Sequence, residues 1–111
     1  MDNPIANISR QDERVNVEFT EREVDTDHLR DLIHELKPTL EDGARLFVFR
    51  LEAVEFLPSA CLALLLMFYQ EVKNFEGRIV LLNCQENVAF LLRLARLDRV
   101  FELAEGEPEG A

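Results

Sequence analysis

Apolar and polar positions change their rhythm several times along this chain, and each change marks an element. Val15-Asn16-Val17-Glu18-Phe19 alternates, the pattern of a half-buried strand. A weaker signal at Ile5–Ile8 marks a short edge strand ahead of it. Leu29, Leu32, Ile33, Leu36 and Leu40 then recur at i, i+3, i+4, i+7 and i+11, which lays one apolar face along a helix. Asp25 or Asp27 suits its N-cap, Pro38 predicts an early kink or end, and Asp42-Gly43 is a stop signal. Arg45–Leu51 follows as a strand whose core, Leu46-Phe47-Val48-Phe49, does not alternate; such a run predicts helices on both faces of the sheet. After a polar-punctuated loop, a Leu- and Ala-rich helix runs from Ser59 to about Asn74 and is closed by Gly77. Arg78–Asn83 is a second buried strand. Glu86–Arg96 is a third helix, with Val88, Leu91, Leu92 and Ala95 on one face and a spare apolar line of Phe90, Leu94 and Leu97; Arg99–Leu103 is the last short strand.

The order β-α-β-α-β-α-β predicts an α/β sandwich: a four- or five-stranded mixed, largely parallel sheet with about three helices and right-handed crossovers. At 111 residues the chain suits one domain, placed at 1–103, with the acidic tail 104–111 (AEGEPEGA) expected to be disordered. A hydrophobic content of 48% is enough to build a core without disulfides or metal. The net charge of −10 would repel nucleic acid and anionic lipid, so neither is an expected partner. Cys61 and Cys84 sit among apolar neighbours and outside any C-x-x-C spacing, as reduced buried thiols do. The N-terminal MDNPIANISRQDE lacks the basic and apolar regions of a signal peptide, and the apolar run Ala60–Tyr69 is shorter than the about 20 residues that span a bilayer. A cytoplasmic protein without direct membrane insertion is the expectation.

Candidate chemistry converges on Ser59. It opens an apolar helix just past the carboxyl end of a central strand, where ligands and partners dock in open α/β sheets. A helix start also favours negative charge, because its N–H groups are unpaired and its dipole is positive there. A purely structural role is open beside it, and the two can hold together: Ser59 as the N-cap of that helix, worth about 1 kcal/mol. Asp25, Ser59 and Asn83 each follow the carboxyl end of a strand and should gather on one edge of the domain. With Phe56, Leu57, Pro58, Phe90 and Leu94 they form a candidate partner surface, although for Phe56, Phe90 or Leu94 taken singly the core beneath the loops is the expected home. Other chemistry finds little support. His28 and His34 are six apart, unlike the i, i+4 pair of a helical zinc site, so no metal is expected. Leu57 and Cys61 stand where a G-x-S-x-G elbow needs glycine, and the four glycines are scattered singly, so neither a hydrolase nor a phosphate loop is expected. No cofactor and no catalytic residue are expected.

Four segments together resemble the STAS domain family, the anti-sigma factor antagonists and related regulators. Val54-Glu55-Phe56-Leu57-Pro58-Ser59-Ala60-Cys61-Leu62-Ala63-Leu64-Leu65 is similar to a family pattern V-x-F-[ILM]-D-S-[ST]-G-L-x-x-L-L, and Arg22-Glu23-Val24-Asp25 to an upstream G-E-L-D. Gly77–Asn83 resembles its G-x-x-L-x-L-x-N strand, and Leu91–Phe101 its closing L-x-x-x-x-L-D-x-x-F. The resemblance covers about residues 15–103. It departs at Pro58, where the family carries aspartate, at Ala60, at Cys61 in place of glycine, and at Arg22 in place of glycine. The family implies a non-enzymatic anti-sigma factor antagonist. Its partner would be an anti-sigma factor that is also a histidine-kinase-like serine kinase, with Ser59 as the phosphorylated residue. It also admits a PP2C-type phosphatase and a homodimer. The alternative it implies is a phosphorylation-independent STAS subunit of a membrane transport complex.

Overall fold

The computed structural model describes residues 2–106. The elements run β1 (Asp2–Asn3), β2 (Ala6–Gln11), β3 (Arg14–Phe19), α1 (Thr26–Glu41), β4 (Leu46–Arg50), α2 (Ser59–Asn74), β5 (Arg78–Leu82), α3 (Glu86–Leu94) and β6 (Glu102–Ala104). The six strands lie in the sheet in chain order. β1–β2 and β2–β3 pair antiparallel; β3, β4, β5 and β6 are parallel. The weak Ile5–Ile8 signal proves to be the start of a six-residue strand, paired from Ala6↔Phe19 to Gln11↔Arg14 around a turn in which Asp12 is left-handed at φ 56°.

Chain order in the sheet decides where the helices go. Each right-handed crossover steps to the next strand in the same direction, so all three helices fall on one face. The main core accordingly joins Val15, Val17 and Phe19 of β3, Phe47 and Phe49 of β4, and Ile79 and Leu81 of β5 to the buried faces of α1, α2 and α3. The expectation of helices on both faces is therefore corrected. The Leu46–Phe49 run does not alternate because Leu46 and Val48, with Val80 and Leu82 of β5, form a second small buried cluster on the opposite face, flanked by Ala104. At the centre of the main core, the Phe68 ring on α2 meets Phe47 edge-on at 5.1 Å and stacks on Phe49 at 6.2 Å.

The helix boundaries carry further corrections. α1 does not end early at Pro38; it continues to Glu41. The proline sits in the last turns, where it removes one hydrogen bond, while buried Leu36 and Leu40 hold the turn against the core. At the end of α2 the left-handed residue is Glu76 (φ 60°), not Gly77. Gly77 is required by space instead: a Cβ there would lie 2.7 Å from the Arg45 carbonyl oxygen and 2.8 Å from Val72 Cγ1. α3 stops at Leu94, two residues short of the expected Arg96, which is itself left-handed at φ 62°. Leu97–Arg99 is a 3-10 turn, and the last strand starts at Glu102 rather than Arg99. Burial of both Leu97 and Phe101, with Phe101 N–H donating to the Leu97 carbonyl at 2.8 Å, keeps this stretch coiled. β6 ends at Ala104; most of the expected disordered tail, residues 107–111, lies outside the described residues.

Candidate functional site

The carboxyl ends of the parallel strands give rise to three loops, and hydrogen bonds sew them together. The chain before α1 runs beside the chain before α2 as a short parallel bridge, Glu23 against Phe56. Glu55 and Phe56 N–H both donate to the Arg22 carbonyl (2.7 and 2.9 Å), and Val24 N–H donates to that of Phe56 (3.2 Å). Side chains repeat the link: the Arg22 guanidinium donates to both Glu55 oxygens, Nε at 2.5 Å and Nη2 at 3.1 Å. That hydrogen bonding, chiefly, holds the Glu55 carboxyl below its ordinary pKa and raises that of Arg22. The loop after β5 joins through Asn83, left-handed at φ 57°, whose Nδ2 donates to Glu52 Oε1 at 3.2 Å. Gln85 Nε2 donates to the Glu52 carbonyl at 2.7 Å, and Asn87 Nδ2 donates to that of Glu55.

Beside this seam lies an open concavity of about 550 Å³, lined by Glu23, Glu55, Phe56, Leu57, Pro58, Ser59, Asn87, Val88, Phe90 and Leu91. Ser59 is exposed on it as the first residue of α2. The helix's N-cap is Pro58, extended at φ −57°, ψ 146°, and no side chain caps it. The reading of Ser59 as the N-cap is therefore corrected; the chain turns into the helix one residue earlier, at a residue that cannot cap. Two residues on, Cys61 is fully buried, with Sγ 3.6 Å from Thr26 Oγ1 and 3.8 Å from the Val24 carbonyl. Burial raises its thiol pKa. The position that holds glycine in the family pattern is thus a small side chain wedged between the starts of two helices.

The other expected residues fare unevenly. Phe56, Phe90 and Leu94 do not finish the core: they are 55%, 60% and 70% exposed. Leu57 is buried and belongs to the core, so it supports the surface from beneath. Pro58 is half-buried. The Asp25 carboxylate caps α1, Oδ1 accepting from His28 N–H at 2.9 Å, so its first duty is structural. Asn83 is half-buried and tied between loops, Oδ1 accepting from Gly106 N–H at 3.1 Å. Reasoning from sequence placed Glu55 near Ser59 but missed Arg22, Glu23 and Asn87 as parts of the site; Arg22 and Glu55 are 33 apart in sequence and no local spacing links them. His28 and His34 are both exposed, and among the described residues no three of His, Cys, Asp and Glu are grouped to hold a metal ion. No helix among the described residues is long and apolar enough to cross a membrane.

A mixed sheet in chain order, three helices on one side, and a serine-headed helix at the carboxyl edge define an α/β fold seen in solved anti-sigma factor antagonists. The SpoIIAA antagonist in its unphosphorylated form superposes with a TM-score of 0.81 at 17% identity, over 94% of this chain and 90% of that one. The phosphorylated SpoIIAA from Bacillus gives 0.75 at 16% identity, over 94% and 93%. An anti-sigma factor antagonist from Mycobacterium paratuberculosis gives 0.73 at 23% identity, over 89% and 83%. No curated protein sequence matches the chain significantly. The STAS domain family model matches residues 6–109, and the chain belongs to the STAS domain family.

Proposed function

We propose that this chain is a non-enzymatic, cytoplasmic regulator of the anti-sigma factor antagonist type. Its partner is a histidine-kinase-like serine kinase that also serves as the anti-sigma factor. The unmodified domain binds that partner and frees a sigma factor, and phosphorylation of Ser59 ends the binding. In the transfer, Ser59 Oγ attacks the γ-phosphorus of ATP, the bond to ADP breaks, and the hydroxyl proton passes to a base of the kinase. A PP2C-type phosphatase would reverse it. One observation carries this reading: Ser59 is exposed at the head of α2 and is not the residue that caps it. Beside it in the concavity stand apolar side chains that the core does not use, Phe56 and Phe90, and Leu94 is exposed farther along α3.

The electrostatics suit a switch. The start of α2 tolerates added negative charge, whereas Glu23 and Glu55 on the same concavity would repel it. A partner fitted to a neutral hydroxyl would lose contact. The test is incubation of the full chain with ATP and the histidine-kinase-like ATPases encoded beside it, followed by intact mass. A single added phosphoryl group that disappears in Ser59→Ala supports the proposal; an unmodified chain with every such kinase sinks it. Pro58, standing where the family pattern has aspartate, favours a second reading, a phosphorylation-independent subunit of a membrane transport complex. Co-purification of an ABC transporter ATPase instead of a kinase would select it.

A further inference from the structure

We propose that Arg22 is the phosphate-binding residue of the modified state: on phosphorylation of Ser59 its guanidinium leaves Glu55 and pairs with the phosphate. This rests on the reading of Ser59 as the phosphoacceptor. The concavity that exposes Ser59 is lined by two carboxylates, Glu23 and Glu55, and by no basic residue. A phosphoryl group there brings about −1.5 to −2 further charges, a strong local excess of negative charge. Arg22 is a cation in contact with that lining, held in a two-pronged pair by Glu55.

Three features make the exchange feasible. The guanidinium is 75% exposed and Glu55 35%, so re-pairing moves no core group. The Arg22 backbone is anchored to the loop that leads into α2, its carbonyl accepting from both Glu55 and Phe56 N–H, so its side chain starts beside the segment that carries Ser59. A phosphate dianion also matches the planar fork of arginine at higher charge than a carboxylate does, which favours the new pair. The consequence is a reversal of the rim's charge pattern. Glu55, neutralised in the unmodified domain, is released beside Phe56, while Arg22 turns towards the helix start. A partner that reads Glu55 and Arg22 as a closed pair meets a bare carboxylate instead, which strengthens the response to a single phosphate.

The test places phosphoserine at position 59 of the full chain during translation, by an expanded genetic code, and follows its second ionisation by phosphorus NMR. It needs no kinase, so it succeeds or fails independently of the mass-spectrometric test of Ser59 modification. The ordinary value is about 6. Wild type is expected to titrate about half a unit or more below Arg22→Gln, a threefold or larger change in proton affinity. Arg22→Lys, which keeps the charge without the fork, should fall between them. Glu55→Gln should lower the midpoint in wild type by more than it does in the Arg22→Gln background, because it frees the arginine. Equal midpoints for wild type and Arg22→Gln, or equal effects of Glu55→Gln in both backgrounds, would overturn the exchange.

Discussion

Two helices begin side by side at the carboxyl edge of the sheet, and they begin differently. α1 starts with the Asp25 carboxylate accepting from His28 N–H, which satisfies one of the free donors of its first turn. α2 starts at Pro58 with no side-chain cap, and its first residue, Ser59, is exposed. Buried Cys61 packs one start against the other through Thr26. One start is capped by a side chain of its own; the other is closed only by backbone, Cys61 N–H donating to the Pro58 carbonyl at 2.9 Å. The two helices also differ in apolar economy. α1 buries Leu29, Leu32, Ile33, Leu36 and Leu40, whereas α2 leaves Met67 exposed and its neighbouring α3 leaves Phe90 and Leu94 in water. Phe56 and Phe90 line the concavity at the uncapped helix start, as expected of a surface that a partner covers.

The sharpest way to break this contrast is to exchange its two kinds of aromatic residue. Phe68→Ala removes a ring packed between Phe47 and Phe49 and should cost about 3–5 kcal/mol, whereas Phe90→Ala should stay within about 0.5 kcal/mol; urea denaturation measures both. A comparable loss at Phe90 would move that residue into the core and remove it from the partner surface. Next comes the far end of α2, where Gly77→Ala drives a methyl into the Arg45 carbonyl and Val72 and should cost about 1–3 kcal/mol. The helix starts themselves follow. Asp25→Ala should cost about 1 kcal/mol as a lost cap, and Ser59→Ala, which loses none, should remain within about 0.5 kcal/mol. Equal losses at the two positions would erase the difference between the starts.

A different kind of effect is a pH dependence at the thiols. Burial pushes the Cys84 pKa up from 9.0 to about 11, and raises that of Cys61 as well. Below pH 9 both folded and unfolded thiols hold their protons and the contribution is intact. As pH rises from about 9 to 11 the unfolded chain ionises first, so stability declines, and the decline ends once the folded thiol ionises too. Denaturation midpoints between pH 8 and 11 should fall with a slope that Cys84→Ala reduces. An unchanged slope would place the titration elsewhere.

Much of the frame was legible in the residues. The 3.6 period of Leu29–Leu40 and the alternation of Val15–Phe19 each report one buried face, a local property of the chain. The start of α2 at Ser59 and the capping role open to Asp25 were readable for the same reason, as were the four segments that resemble the family. The candidate site was legible only in outline. Ser59, Asp25 and Asn83 could be assigned to one edge, because strand ends in a parallel sheet share an edge. That Phe56 and Phe90 are exposed while adjacent Leu57 is buried could not be read, since all three are equally apolar in sequence.

Residue order by itself determined the elements, their succession and the presence of a lone hydroxyl at a helix start, because caps, turns and periodic burial depend on neighbours a few positions away. Only the tertiary structure decided which face of the sheet carries the helices, that Pro58 rather than Ser59 enters α2 as its cap, and that Arg22 meets Glu55 across the site. Those outcomes depend on strand order and on groups more than thirty residues apart, brought together by a packed core that no local pattern encodes.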